Sequence, residues 1–148
     1  MKTHIHKLSV SERKGEKKDN VPEVMVIAEK GIQGDAHCGS ERPVSLLSLE
    51  SFDELDTSLM EISPGDFAEN ITTRGLDYSR VTMGTRLALG DEVIVEIIQL
   101  GKECHDGCII KQTVGDCVMP RRGVFARPLK GGKLREGDPI KILENHKE

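Results

Sequence analysis

The chain has no tryptophan, one tyrosine and three phenylalanines in 148 residues. So few rings argue against a nucleic-acid platform on which successive bases stack. A basic face is missing too, because the net charge is -4 with both signs interspersed. No run approaches the roughly 18 apolar residues of a membrane span. The first residues, MKTHIHKLSV, lack the apolar centre of an export signal. A cytoplasmic protein with reduced cysteines is therefore the expectation. Neither GxGxxG nor a glycine-rich run ending in Lys-Ser/Thr occurs, which removes the usual nucleotide signatures. Without a Gly-x-Ser-x-Gly elbow, serine hydrolase chemistry has little support.

What is present is strand pattern and turns. Fifteen glycines punctuate short apolar-polar alternations. Residues 3–10, 24–28, 44–47, 66–73, 84–89, 92–100, 123–129 and 139–143 read as strands. Leu49, Phe52, Leu55 and Leu59 fall at helical spacing behind Ser48 as a candidate N-cap. The charged run 11–20 reads as a solvated loop or hairpin tip. MGTRLALGDEVIVEI and KGGKLREGDPIKIL echo each other, each a strand, a Gly-Asp turn and a second strand, and both predict hairpins. Many strands without regular helix alternation predict one mainly β (strand-rich α+β) domain over 1–148, a β-barrel or sandwich with a few short helices.

Reactive side chains crowd into residues 101–138. Cys104, His105 and Cys108 lie within five residues, and Cys117 follows. Three readings stand: buried inert thiols, structural zinc, or a working thiolate. The CxxxC spacing is poor for zinc, and Lys102, His105, Lys111, Arg121 and Arg122 would depress a thiol pKa. The thiolate is therefore favoured. Upstream loops offer hydrogen-bonding groups for a polar ligand. Asp35 and His37 sit on a glycine hinge, and Glu69-Asn70 put polarity into an expected strand. Arg42, Arg121 and Arg122 supply cations suited to a phosphate or other oxyanion.

Taken together and in order, GIQGDAHCG, RPVSLLSLESFDEL, SPGDFAENITTRGLD, MGTRLALGDEVIVEIIQLGKECH and GCIIKQTVGDCVMPRRGVFAR resemble the MOSC domain. That domain ends the molybdenum cofactor sulfurases and also occurs in small stand-alone bacterial proteins. The resemblance runs from about Ile5 to Leu143 and implies a MOSC-type β-barrel. It implies binding of molybdenum cofactor (molybdopterin), or carriage of sulfur on a cysteine. Pyridoxal phosphate enters only at the level of the family. In members that reduce N-hydroxylated compounds a cysteine ligates molybdenum within Arg-Cys-Ile-Leu, and the matching run here is Gly107-Cys108-Ile109-Ile110. Cys108 is thereby the first candidate ligand and nucleophile, and Cys117 the second thiol. Cys104 and His105 belong to the subgroup's Glu-Cys-His pattern. Asp35, His37, Arg42, Glu69 and Asn70 map to the cofactor side, and Arg121 and Arg122 join Arg42 as candidate cations for the pterin phosphate. The implied partners are molybdenum cofactor biosynthesis proteins or molybdoenzymes, with a cysteine desulfurase as sulfur donor. A stand-alone reductase of N-hydroxylated compounds and a structural zinc or assembly module are the alternatives.

Overall fold

A computed structural model describes residues 3–13, 18–50, 63–65, 67–100 and 123–143. Eleven strands are described: β1 His4–Val10, β2 Asp19–Val21, β3 Glu23–Ile27, β4 Gly31–Ile32, β5 Val44–Ser48, β6 Ile71–Arg74, β7 Arg86–Leu89, β8 Val93–Leu100, β9 Val124–Lys130, β10 Gly132–Arg135 and β11 Ile140–Leu143. Eight form one sheet in the order β11-β7-β8-β9-β5-β6-β1-β2; β10, β3 and β4 form a second. Strand content is as the alternation predicts.

The sequence dictates which face each strand buries. In β3, Val24 and Val26 turn inward while Glu23, Met25 and Ile27 are exposed. In β8, Val93, Val95 and Ile97 are buried and Ile94 and Glu96 only half so. All five residues of β5 are buried, as befits a strand paired on both sides, to β9 and to β6. Its pairing with β6 is parallel, so the chain must cross over between them. The helix expected behind Ser48 lies in that crossover, outside the described residues. Side chains from both sheets share one core, including Ile5, Leu8, Val26, Leu46, Leu87, Val95 and Leu134. Burying each large aliphatic side chain stabilises by about 1.5–3 kcal/mol.

The barrel expectation needs loosening. The outer β11 and the N-terminal part of β1 meet at a seam, where His4 and Pro139 form a single antiparallel bridge. Ile5 N–H donates to Asp138 C=O at 2.8 Å and Ile140 N–H to Thr3 C=O at 3.0 Å. No continuous ladder joins the two, so the eight-stranded sheet curls without closing into a barrel.

The echoed hairpins also divide. β7 and β8 pair across the Gly90-Asp91 turn as expected. β10 and β11 do not pair with each other; β10 pairs with β3 and β11 with β7. The two Gly-Asp turns instead pack together. Gly90 N–H donates to Pro139 C=O at 2.9 Å, and a Cβ on Gly90 would come 2.8 Å from Asp138 Oδ2. Local pattern gave both strand pairs, but competition from longer-range partners decided which one became a hairpin.

Candidate functional site

The polar residues gather where β1 ends, β2 begins and β5 and β6 start. Lys18 directly precedes β2, and its side chain is wholly buried. The run 11–20 does join a hairpin, β1 with β2, but Lys18 is an exception to its expected solvation. Three like-charged lysines in that run are indistinguishable by composition, and only the one next to β2 is described as turning inward. Lys18 Nζ donates to Asp35 Oδ1 at 2.8 Å and to Ser11 Oγ at 3.1 Å, and lies 3.2 Å from His37 Nδ1. Asp35 Oδ1 also accepts from Ser11 N–H at 3.1 Å, and Oδ2 from the backbone N–H of His37 at 3.1 Å. Burial alone would raise the Asp35 pKa. Hydrogen bonding with His37, Lys18 and Ser11 outweighs it and holds the carboxyl well below the usual carboxylate range. The expected pair Asp35 and His37 is thus brought together, with a lysine that motif reading missed.

Gly65 joins this group to the next. Lys18 N–H donates to Gly65 C=O at 2.9 Å, and Gly65 N–H donates to Glu69 Oε2 at 2.9 Å. At φ +96° Gly65 also brings its Cα so close that a Cβ would lie 2.3 Å from the Lys18 carbonyl oxygen. Glu69 is completely buried. Its Oε2 accepts a second bond from Thr72 Oγ1 at 2.9 Å, while Oε1 has no hydrogen-bond partner among the described residues. Burial pushes the Glu69 pKa up, only partly offset by N–H and hydroxyl donors from Gly65, Thr72 and the backbone nearby. A carboxyl whose folded pKa is raised contributes stability fully present below its unfolded value, about 4.3. That contribution is lost as pH rises through the folded value. Glu69→Gln is therefore expected to flatten the fall in stability between acidic and neutral pH. Urea unfolding at a series of pH values measures this, and a slope equal to that of the unmodified chain would refute it.

Asn70 does not sit in mid-strand; β6 begins one residue later. Its side-chain oxygen accepts from Ser45 N–H at 3.0 Å and its Nδ2 donates to the Ser9 carbonyl at 3.2 Å. Its own N–H donates to Ser45 Oγ at 3.0 Å. Asn70 therefore ties β1, β5 and β6 together, which supplies the partner a buried amide needs. Arg42 stands apart from these groups. It is exposed, with its guanidinium carbon 5.5 Å from the centre of the buried Phe125 ring, a cation–π contact.

Cys104, His105, Cys108, Cys117, Arg121 and Arg122 lie outside the described residues. Their segment leaves the sheet at Leu100 and rejoins it at Gly123, and Leu100 pairs with Val124. Val124 pairs with Leu46, the middle residue of β5. The polar wall reaches β5 at Ser45, which pairs with Phe125, and the strand end flanking the thiol segment, Val124, pairs with the next residue, Leu46. Cys38, beside His37, is a half-buried free thiol. Among the described residues, no group of three His, Cys, Asp or Glu side chains could hold a metal ion.

An open cavity of about 460 Å³ lies elsewhere, lined by Met25, Asp91, Glu92, Lys133, Arg135 and Asp138. None of the sequence-predicted site residues borders it. Its carboxylates serve the backbone: Glu92 accepts from Lys133 N–H at 3.1 Å and Asp138 from Arg135 N–H at 2.9 Å. It is a by-product of turn packing. No helix among the described residues is long and apolar enough to cross a membrane.

Fold and wall together define a small, strand-rich protein with a buried polar end beside the root of a cysteine-bearing segment. The family model for the MOSC domain matches residues 33–141, so the chain belongs to the MOSC domain family. Molybdenum cofactor is linked to that family in general. Among solved structures, the YuaD protein from Bacillus subtilis superposes with a TM-score of 0.80 at 17% identity, covering 99% of this chain and 98% of that one. YiiM from Geobacillus stearothermophilus gives 0.73 at 22% identity over 96% of this chain and 75% of that chain. YiiM from Escherichia coli gives 0.66 at 20% identity over 100% and 72%. At these identities the likeness concerns the fold. None of the curated proteins compared with the chain matches it.

Proposed function

We propose that this chain binds molybdenum cofactor or carries sulfur for it, with the thiolate of Cys108 as metal ligand or persulfide carrier and Cys117 as second thiol. The observation that carries this reading is the family match over 33–141, which takes in Asp35, His37, Glu69 and Asn70 of the polar wall and the whole cysteine segment. Thiolate is a soft ligand suited to molybdenum, and it can also bear a persulfide. Arg42 is exposed, with its guanidinium over the Phe125 ring, and its forked donors suit an oxyanion. Arg121 and Arg122 would add cations for a pterin phosphate. The partners this chemistry requires are a sulfur donor such as a cysteine desulfurase and an acceptor in cofactor assembly or a molybdoenzyme.

Metal and pterin analysis of the purified chain tests the reading. Molybdenum with pterin in the unmodified chain, falling at least tenfold in Cys108→Ser, is the expected result. One extra sulfur atom on Cys108 by mass spectrometry selects the carrier role. Stoichiometric zinc without pterin would refute both roles and favour a structural module.

A further inference from the structure

We propose that Lys18 is the positioning residue that fixes His37 as a hydrogen-bond donor, through Nε2–H, to an anionic oxygen of the ligand. The assignment starts from counting protons. An ammonium group has three donors and no acceptor. Lys18 Nζ is wholly buried and has three neighbours at hydrogen-bond distance: Asp35 Oδ1, Ser11 Oγ and His37 Nδ1. Ser11 Oγ has its own proton directed to Arg13 C=O at 3.0 Å, so it accepts from Lys18. The remaining ammonium proton requires Nδ1 of His37 to carry a lone pair. Asp35 Oδ2 is the farther neighbour of that nitrogen, at 3.7 Å against 3.2 Å for the Lys18 ammonium.

Two consequences follow for the ring. The neutral imidazole carries its proton on Nε2, since one nitrogen must be donor when the other accepts. Protonating Nδ1 as well would set two cations 3.2 Å apart and leave a buried ammonium proton without an acceptor. The ring's inner edge faces the buried Lys18, while the His37 side chain remains 25% exposed. Nε2–H is then the ring's remaining polar group for a ligand to meet. With Lys18 and Asp35 cancelling in charge, the wall offers a neutral, oriented donor backed by a fixed ion pair. That arrangement suits a phosphate or carboxylate oxygen, whichever molecule bears it. Only the identity of the ligand rests on the cofactor reading above; the tautomer belongs to the chain itself.

The groups facing the ring among the described residues are Lys18, from the run before β2, and Asp35, from the loop after β4. Ring-15N histidine spectra of the full chain at neutral pH test the proposal. The expected His37 signals are an unprotonated Nδ1 and a protonated Nε2. An Nδ1–H tautomer, or an imidazolium, would overturn it. In Lys18→Gln, with folding checked by the backbone amide spectrum, His37 is expected to lose its single preferred tautomer. The reason is that the ammonium is gone and Asp35 remains. An unchanged tautomer in that variant would also overturn the proposal. Inorganic phosphate is the ligand probe: it should shift the Nε2 resonance, with binding roughly tenfold weaker in Lys18→Gln. Absence of any phosphate-dependent shift rules out the anion assignment. A chain without molybdenum that shows this tautomer refutes the metal reading alone; a molybdenum-loaded chain with the opposite tautomer refutes the role of Lys18 alone.

Discussion

Asp35→Ala is expected to lower the stability of the fold by about 3–5 kcal/mol, the usual cost of stranding one partner of a buried ion pair. Lys18 has no exposed surface through which water could replace the lost carboxylate. Ser11 Oγ and His37 Nδ1 would remain as its acceptors, and neither is an anion. Two backbone donors, Ser11 N–H and His37 N–H, would lose their acceptor in the same step. In urea, where small proteins show slopes of about 1–3 kcal/mol per molar, the midpoint should fall by more than 1 M. A fall below about 0.3 M would mean that the pair is not buried as described. The pH dependence has a definite sign. A carboxyl whose folded pKa is depressed contributes stability that is present above its unfolded value, about 3.9. That contribution is lost as pH falls below this value towards the lower folded one. The unmodified chain should therefore lose stability in that acid range more steeply than Asp35→Asn does.

Gly65→Ala should be comparably damaging, at about 3 kcal/mol or more, for two reasons that add. At φ +96° an L side chain is strained, typically by about 1–3 kcal/mol. The new Cβ would also stand 2.3 Å from the Lys18 carbonyl oxygen, which is backbone and has little room to yield. Relief by movement would disturb two bonds at once, Lys18 N–H to Gly65 C=O and Gly65 N–H to Glu69 Oε2. The variant therefore links stability to the site: loss of fold and loss of the Lys18 arrangement should come together in thermal unfolding and in the His37 spectrum. Wild-type stability in Gly65→Ala would refute the close approach.

How much of this was legible in the sequence depends on the range of the interaction. Strands with clean alternation, such as 93–97, announced both their existence and their buried face, because period two is a local property. Asp35 and His37 were legible as a pair because two residues on a glycine hinge cannot be far apart. Lys18 was not. It is one lysine in a charged run, and its burial follows from a backbone approach to Gly65, 47 positions away. Asn70 was flagged correctly as a polar group in need of a partner, but the partners proved to be Ser45 and Ser9 on adjoining strands. The hairpin echo misled for the same reason: β10 had a better partner in β3 than in β11. Motif order over most of the chain carried the family, since five modest runs in sequence are jointly specific where each alone is weak. Cys108 was singled out by that resemblance, and local chemistry by itself left inert, zinc-binding and reactive thiols open.

The proposed role of Cys108 is tested most directly by X-ray absorption at the molybdenum edge on chain reconstituted with the cofactor. The unmodified chain should show one more sulfur ligand on molybdenum than Cys108→Ser under the same loading. Equal sulfur coordination in the two would contradict the assignment of Cys108 as the metal's protein ligand.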